Sequence, residues 1–152
     1  MLKGIDPIIT PDLLHALAKM GHGQTLAVVD RNYPPYSAGA PVVHLAGVDA
    51  PTAVAAICSL FPLDTFVESP LAAMEAVGEA ERPPVTAEVV AAAEAADGRP
   101  LQIRWLERFA FYAEAESASL VISTGEARPY GCYLLTKGVW PSFVPGSGVG
   151  AE

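Results

Sequence analysis

Cysteine is scarce in this chain: Cys58 and Cys132 are its two thiols among 152 residues. Two cysteines so far apart lack metal-ligand spacing, and a core of this length needs no disulfide staple. The expectation is therefore a reduced, cytoplasmic compartment. Positive charge is also short. Nine Lys and Arg stand against 17 Asp and Glu, for a net charge of −8, and no basic cluster breaks the pattern. A nucleic acid would find no face that neutralises its phosphates, and an anionic membrane would repel this surface. No apolar run approaches the roughly 20 residues that span a bilayer. Met1 to Pro7 holds one Lys and no apolar stretch, so a secretory leader is not expected there. Strong catalytic fingerprints are missing as well: no P-loop, no dinucleotide glycine motif, no Gly-x-Ser-x-Gly elbow and no His-Glu-x-x-His.

Apolar residues are plentiful. At 51% hydrophobic and 17% charged, the chain is not disordered. So apolar a small domain also has surplus surface to hide, which points to self-association. Thr10, Pro11 and Asp12 open a helix whose Leu13, Leu14, Leu17 and Met20 share one face, stopped at Gly21. Thr25 to Asp30 reads as a buried strand, and Arg31 to Pro35 as loop, because two prolines forbid a ladder. Val42 to Ala46 is the next strand. Asp49 caps a helix from Pro51 to Leu60. Strands are expected at Thr65 to Val67 and Ala72 to Val77, then a helix over Ala87 to Ala96 capped by Thr86. A strand at Gln102 to Trp105, a helix at Glu107 to Ala115, and strands at Leu120 to Ser123 and Tyr133 to Thr136 complete the series. Helices alternating with short apolar strands predict an α/β layered fold, one domain with a largely parallel sheet flanked by helices. The domain is expected over 1–140, followed by a Pro/Gly-rich tail over 141–152.

Three places offer chemistry. His22 stands between Gly21 and Gly23, where the backbone can approach a ligand closely, and imidazole suits proton transfer near neutral pH. The plainer reading, a helix stop followed by an exposed loop histidine, is the favoured one on these three residues alone. Asp30 ends a buried strand, where open α/β sheets place ligand-binding groups, although a carboxylate there also starts turns. In the stretch Arg108 to Tyr112 and, later, Tyr130-Gly131, Phe109 at helical spacing from Tyr112 more often marks a core than a site, whereas Arg108 and Tyr130 offer donors for a polyol. His15, His44 and Cys58 read as structural.

These residues assemble into a wider pattern. Pro11 to Gly23, Val29 to Pro34, Pro62 to Pro70, Arg108 to Tyr112, Thr124 to Glu126, Tyr130-Gly131 and Lys137 to Val139 resemble, in order and spacing, the fucose mutarotase and ribose pyranase family. The likeness runs from about residue 1 to residue 139. It implies that His22 is the proton donor, with Tyr112 and Asp64 assisting. It also implies that Asp30, Arg108, Tyr130, Gly131, Cys132 and Met74 bind substrate, a free monosaccharide with L-fucose foremost, and that no cofactor or metal takes part. Cys132 departs from an Asn in the family's triplet, replacing an amide by a weakly donating thiol. Gln24-Thr25 likewise replace an acidic pair. Members resemble ring homo-oligomers, decamers of stacked pentamers, with each site closed by a neighbouring subunit. Pyranose–furanose exchange of ribose-like sugars, and a non-catalytic sugar-binding module on the same fold, are the rival readings.

Overall fold

The computed structural model describes residues 2–78 and 81–141, so all of the expected tail except Pro141 lies outside the described residues. The elements run in chain order as α1 Pro11–Lys19, β1 Thr25–Val29, β2 Val42–Leu45, α2 Ala50–Cys58, β3 Leu71–Met74, α3 Pro84–Asp97, β4 Ile103–Leu106, α4 Arg108–Ala115, β5 Leu120–Thr124 and β6 Tyr133–Thr136. Caps set most helix starts. The Thr10 hydroxyl accepts from the Leu13 amide at 3.2 Å, and the Asp49 carboxylate from the Thr52 amide at 2.9 Å. Glu107 caps α4 by accepting from the amides of Phe109 and Ala110. Each bond satisfies a donor that a helix leaves free at its first turn.

Three local expectations change. Helix α3 begins at Pro84, two residues before the expected cap, because the Pro83-Pro84 pair fixes φ for a helical start. Thr86 is not its cap: it is buried, and its hydroxyl lies 3.2 Å from that of Tyr133. Thr65 to Val67 is not a strand but an exposed bend, held by the Phe66 amide donating to Asp64 Oδ1 at 2.9 Å. The carboxylate offers the backbone a turn in place of a ladder. The strand expected over Ala72 to Val77 ends at Met74.

The six strands lie in the order β2-β5-β1-β6-β3-β4. β2–β5, β5–β1 and β3–β4 pair in parallel, while β6 runs against both β1 and β3. The period-two alternation of strand side chains sorts the core onto two faces. Leu26 and Val28, with Ile122, Tyr133 and Leu135, pack under α1, α2 and α3. Ala27 and Val29, with Val121 and Leu134, pack under α4 through Phe111 and Ala115. The reversed strand gathers residues from three distant stretches of the chain. It brings Cys132, just before β6, beside Asp30 at the end of β1 and Met74 at the end of β3, and the Met74 amide donates to the Cys132 carbonyl at 3.1 Å.

Candidate active site

A cavity of about 160 Å3 opens at these strand ends, lined by Asp30, Asn32, Tyr33, Met74, Arg108, Tyr112, Pro129, Tyr130 and Cys132. Asp30 is buried. Its Oδ1 accepts from the amides of Asn32 and Tyr33 at 2.9 and 3.0 Å, and its Oδ2 accepts from the Cys132 thiol at 3.5 Å. Burial, with the Asp30 charge alongside, pushes that thiol well above its ordinary pKa, so Cys132 stays protonated and donates. Arg108 enters from the first turn of α4 with its guanidinium over the Phe109 ring at 4.7 Å. Its Nε is buried with no hydrogen-bond partner among the described residues. An orphaned donor of this kind is costly until something accepts from it, and a sugar hydroxyl in the cavity is such a group. Tyr33 packs on Tyr112 at 5.4 Å between ring centroids. Burial foremost, then the neighbouring Cys132, Tyr112 and Glu116, pushes its phenol up to about 12, which leaves it a neutral hydrogen-bonding group.

His22 and Asp64 meet elsewhere. His22 Nε2 lies 3.2 Å from Asp64 Oδ1, with the imidazole about half exposed and the carboxylate buried. Phe66 flanks the imidazole at 5.3 Å. The histidine loop is fixed from both sides: the Gly21 amide donates to Gln24 Oε1 at 2.6 Å, and the Gly23 amide to the Lys137 carbonyl at 2.8 Å. Gly23 has φ of 81°, a left-handed turn that a side chain would disfavour. This pair precedes β1, whereas Asp30 comes after it. The five residues of β1 hold the two places roughly 16 Å apart, at about 3.3 Å per residue.

Of the residues singled out from sequence, then, Asp30, Met74, Arg108, Tyr112, Tyr130 and Cys132 line one cavity, with Gly131 in the backbone between the last two. His22 and Asp64 form a separate pair at the opposite end of β1 and β6. Sequence reading missed Asn32, Tyr33 and Pro129 as cavity walls, although the two prolines after Asp30 already marked a rigid loop there. Larger grooves lie beside α1 and β2 and between α3 and β4, but neither contains Asp30, His22 or Arg108.

A cavity of donors and acceptors at the strand ends, with a carboxylate-backed histidine on the same small domain, is an arrangement suited to holding a polyol and moving a proton. The chain belongs to the RbsD / FucU transport protein family, whose model matches residues 3–140. It is 42% identical over 142 residues to the L-fucose mutarotase of Actinobacillus pleuropneumoniae, covering 93% of this chain and 99% of that protein. Its fold is similar to the crystal structure of FucU from Bifidobacterium longum, with a TM-score of 0.86 and 40% identity over 91% of this chain and 99% of that one. It is also similar to the fucose mutarotase from Streptococcus pneumoniae solved in complex with L-fucose, with a TM-score of 0.85 and 33% identity over the same shares of both chains.

Proposed function

We propose that this protein is an isomerase that interconverts the anomers of free L-fucose by acid–base opening and closing of the sugar ring. One observation carries the reading: nine-tenths of the chain is shared at 42% identity with a protein named L-fucose mutarotase. The reaction removes a proton from the anomeric hydroxyl and delivers one to the ring oxygen. The bond between C1 and the ring oxygen breaks, C1 turns about its bond to C2, and the ring closes on the other face. Nothing is oxidised or transferred except protons, so side chains suffice. Asp30, Arg108 and Tyr130 hold hydroxyls in the cavity, Met74 and Cys132 shape its floor, and Tyr112 serves the anomeric oxygen. His22 delivers the proton to the ring oxygen, with Asp64 orienting the imidazole and stabilising its cationic form.

This division of roles needs two copies of the chain, because a donor roughly 16 Å from Asp30 along β1 cannot reach a sugar held there. The His22 end of one copy facing the cavity end of the next completes a site. Both ends carry bare apolar side chains suited to such a contact. Phe66 and Trp140 are 76% and 74% exposed toward the first end, and Phe109 is 64% exposed at the second. A contact between unlike surfaces makes a ring when its rotation closes, in keeping with stacked pentameric rings making a decamer. The two buried, unpaired thiols fit a reducing cytoplasm. The test is anomer exchange by saturation-transfer NMR on fucose, galactose, ribose and rhamnose. Fast exchange of fucose is expected. Exchange of pyranose and furanose forms of ribose alone would reassign the protein as a pyranase, and binding without exchange would make it a binding module.

A further inference from the structure

We infer that Glu126, which does not touch the cavity, is a positioning residue that sets the distance between the two walls holding the sugar, an inference resting on the mutarotase reading. The loop from β5 to β6 carries Pro129, Tyr130 and Cys132 into the cavity wall. Its backbone is not relaxed. Tyr130 has φ of 61°, a left-handed conformation that residues other than glycine adopt reluctantly. At Gly131 a Cβ would stand 2.8 Å from Glu126 Cγ, so the loop lies directly on that side chain.

Glu126 is buried, and its carboxylate is fully engaged. Oε1 accepts from the Arg128 amide at 2.9 Å and from Arg128 Nε at 2.8 Å. Oε2 accepts from Arg128 Nη2 at 3.0 Å and from the Ala50 amide at the start of α2 at 3.1 Å. The Glu126 carbonyl accepts from the Arg31 amide at 3.1 Å, one residue past Asp30. One residue therefore ties the strand end that carries Asp30, the helix start at Ala50 and the loop that carries Tyr130. Arg128 extends the tie to Glu88 on α3 at 2.8 Å through an exposed ion pair. A buried carboxylate with this many donors has a geometry to defend, since it is costly unless each bond is kept. The bonds it keeps span the cavity walls from behind.

The test is the saturation kinetics of L-fucose anomer exchange at 25 °C for wild type, Glu126→Gln and Glu88→Gln. The Gln side chain is isosteric, but it replaces one of the two accepting oxygens by an amide nitrogen and so must release Ala50 or part of Arg128. It is expected to raise KM about tenfold with kcat within about twofold. Glu88→Gln loses only an exposed pair and should leave both constants unchanged. A merely structural role would lower the folded fraction, which scales apparent kcat and leaves KM alone. An unchanged KM in Glu126→Gln therefore overturns the inference while wild-type exchange stands. Wild-type protein that neither binds nor exchanges fucose would instead overturn the mutarotase reading, and this inference with it.

Discussion

His22 presents its imidazole from between two glycines, with Asp64 behind it at 3.2 Å. Because the side chain is about half exposed and belongs to no core cluster, His22→Ala should fold as wild type does. Anomer exchange of fucose should fall about 10²-fold or more, as expected for loss of a positioned acid. A rate within a few-fold of wild type, measured by saturation transfer, removes His22 from the scheme. Cys132 poses a different question. Its thiol donates to Asp30 Oδ2 over 3.5 Å, a long and weak bond. Cys132→Asn places an amide there, the group that the family resemblance implies, able to donate to the carboxylate and to meet a sugar hydroxyl. The added contact is worth roughly 0.5–1.5 kcal/mol, so fucose binding by calorimetry should tighten by a few-fold to tenfold. Weaker binding of every sugar that the wild type turns over would show that the thiol serves a different substrate.

Among the elements, the β5–β6 loop concentrates both the backbone strain and the charge. Arg128, foremost through its side-chain hydrogen bonds, holds the Glu126 carboxyl down to about 2, against the opposing effect of burial. A folded-state pKa below the unfolded value of about 4.5 means that the unfolded chain binds the extra proton first. The stabilisation is then complete above about pH 4.5 and is lost as pH falls toward 2. Glu126→Gln should remove that part of the acid dependence, on the order of 2 kcal/mol between pH 5 and pH 2. Urea midpoints across this window check the expectation, and parallel curves for variant and wild type would refute it. The same loop shows where local reading gives out. Tyr130-Gly131 stood out as donors for a polyol, but the need for glycine at 131 comes from Glu126 Cγ, five residues back across a fold of the chain. By contrast the starts of α1 and α2 were legible at Thr10 and Asp49, because a cap and its amide lie three residues apart.

For the whole molecule, the decisive fact is that the His22–Asp64 pair and the Asp30 cavity sit at opposite ends of β1, an interior strand of the sheet. If each site joins His22 of one copy to the cavity of another, two inactive variants should repair each other. His22→Ala and Tyr112→Phe chains, unfolded together in equal amounts and refolded, would pair an intact histidine with an intact cavity in about a quarter of contacts between unlike faces. Roughly a quarter of wild-type exchange is therefore expected from the mixture, against almost none from either variant alone. A mixture as inactive as its parents would place the whole site within one chain. Light scattering of the wild type should report a closed assembly of 15.9 kDa chains, and a monomer at micromolar concentration would contradict the shared site.

By itself the sequence determined the alternation of helices and strands, most helix boundaries, and the residue types that line the cavity. Those come from periodicity, caps and prolines, which act within a few residues. Only the tertiary structure decided that β6 runs against its neighbours and so delivers Cys132 to Asp30 and Met74. It also decided that His22 and Asp64 stand apart from that cavity, and that Asn32, Tyr33 and Pro129 belong to it. Strand order and direction are settled by burying both faces of the sheet at once, through pairings such as Leu26 with Leu120 and Leu135. No local pattern carries that information, because each strand's alternation is the same whichever neighbour it meets and whichever way that neighbour runs.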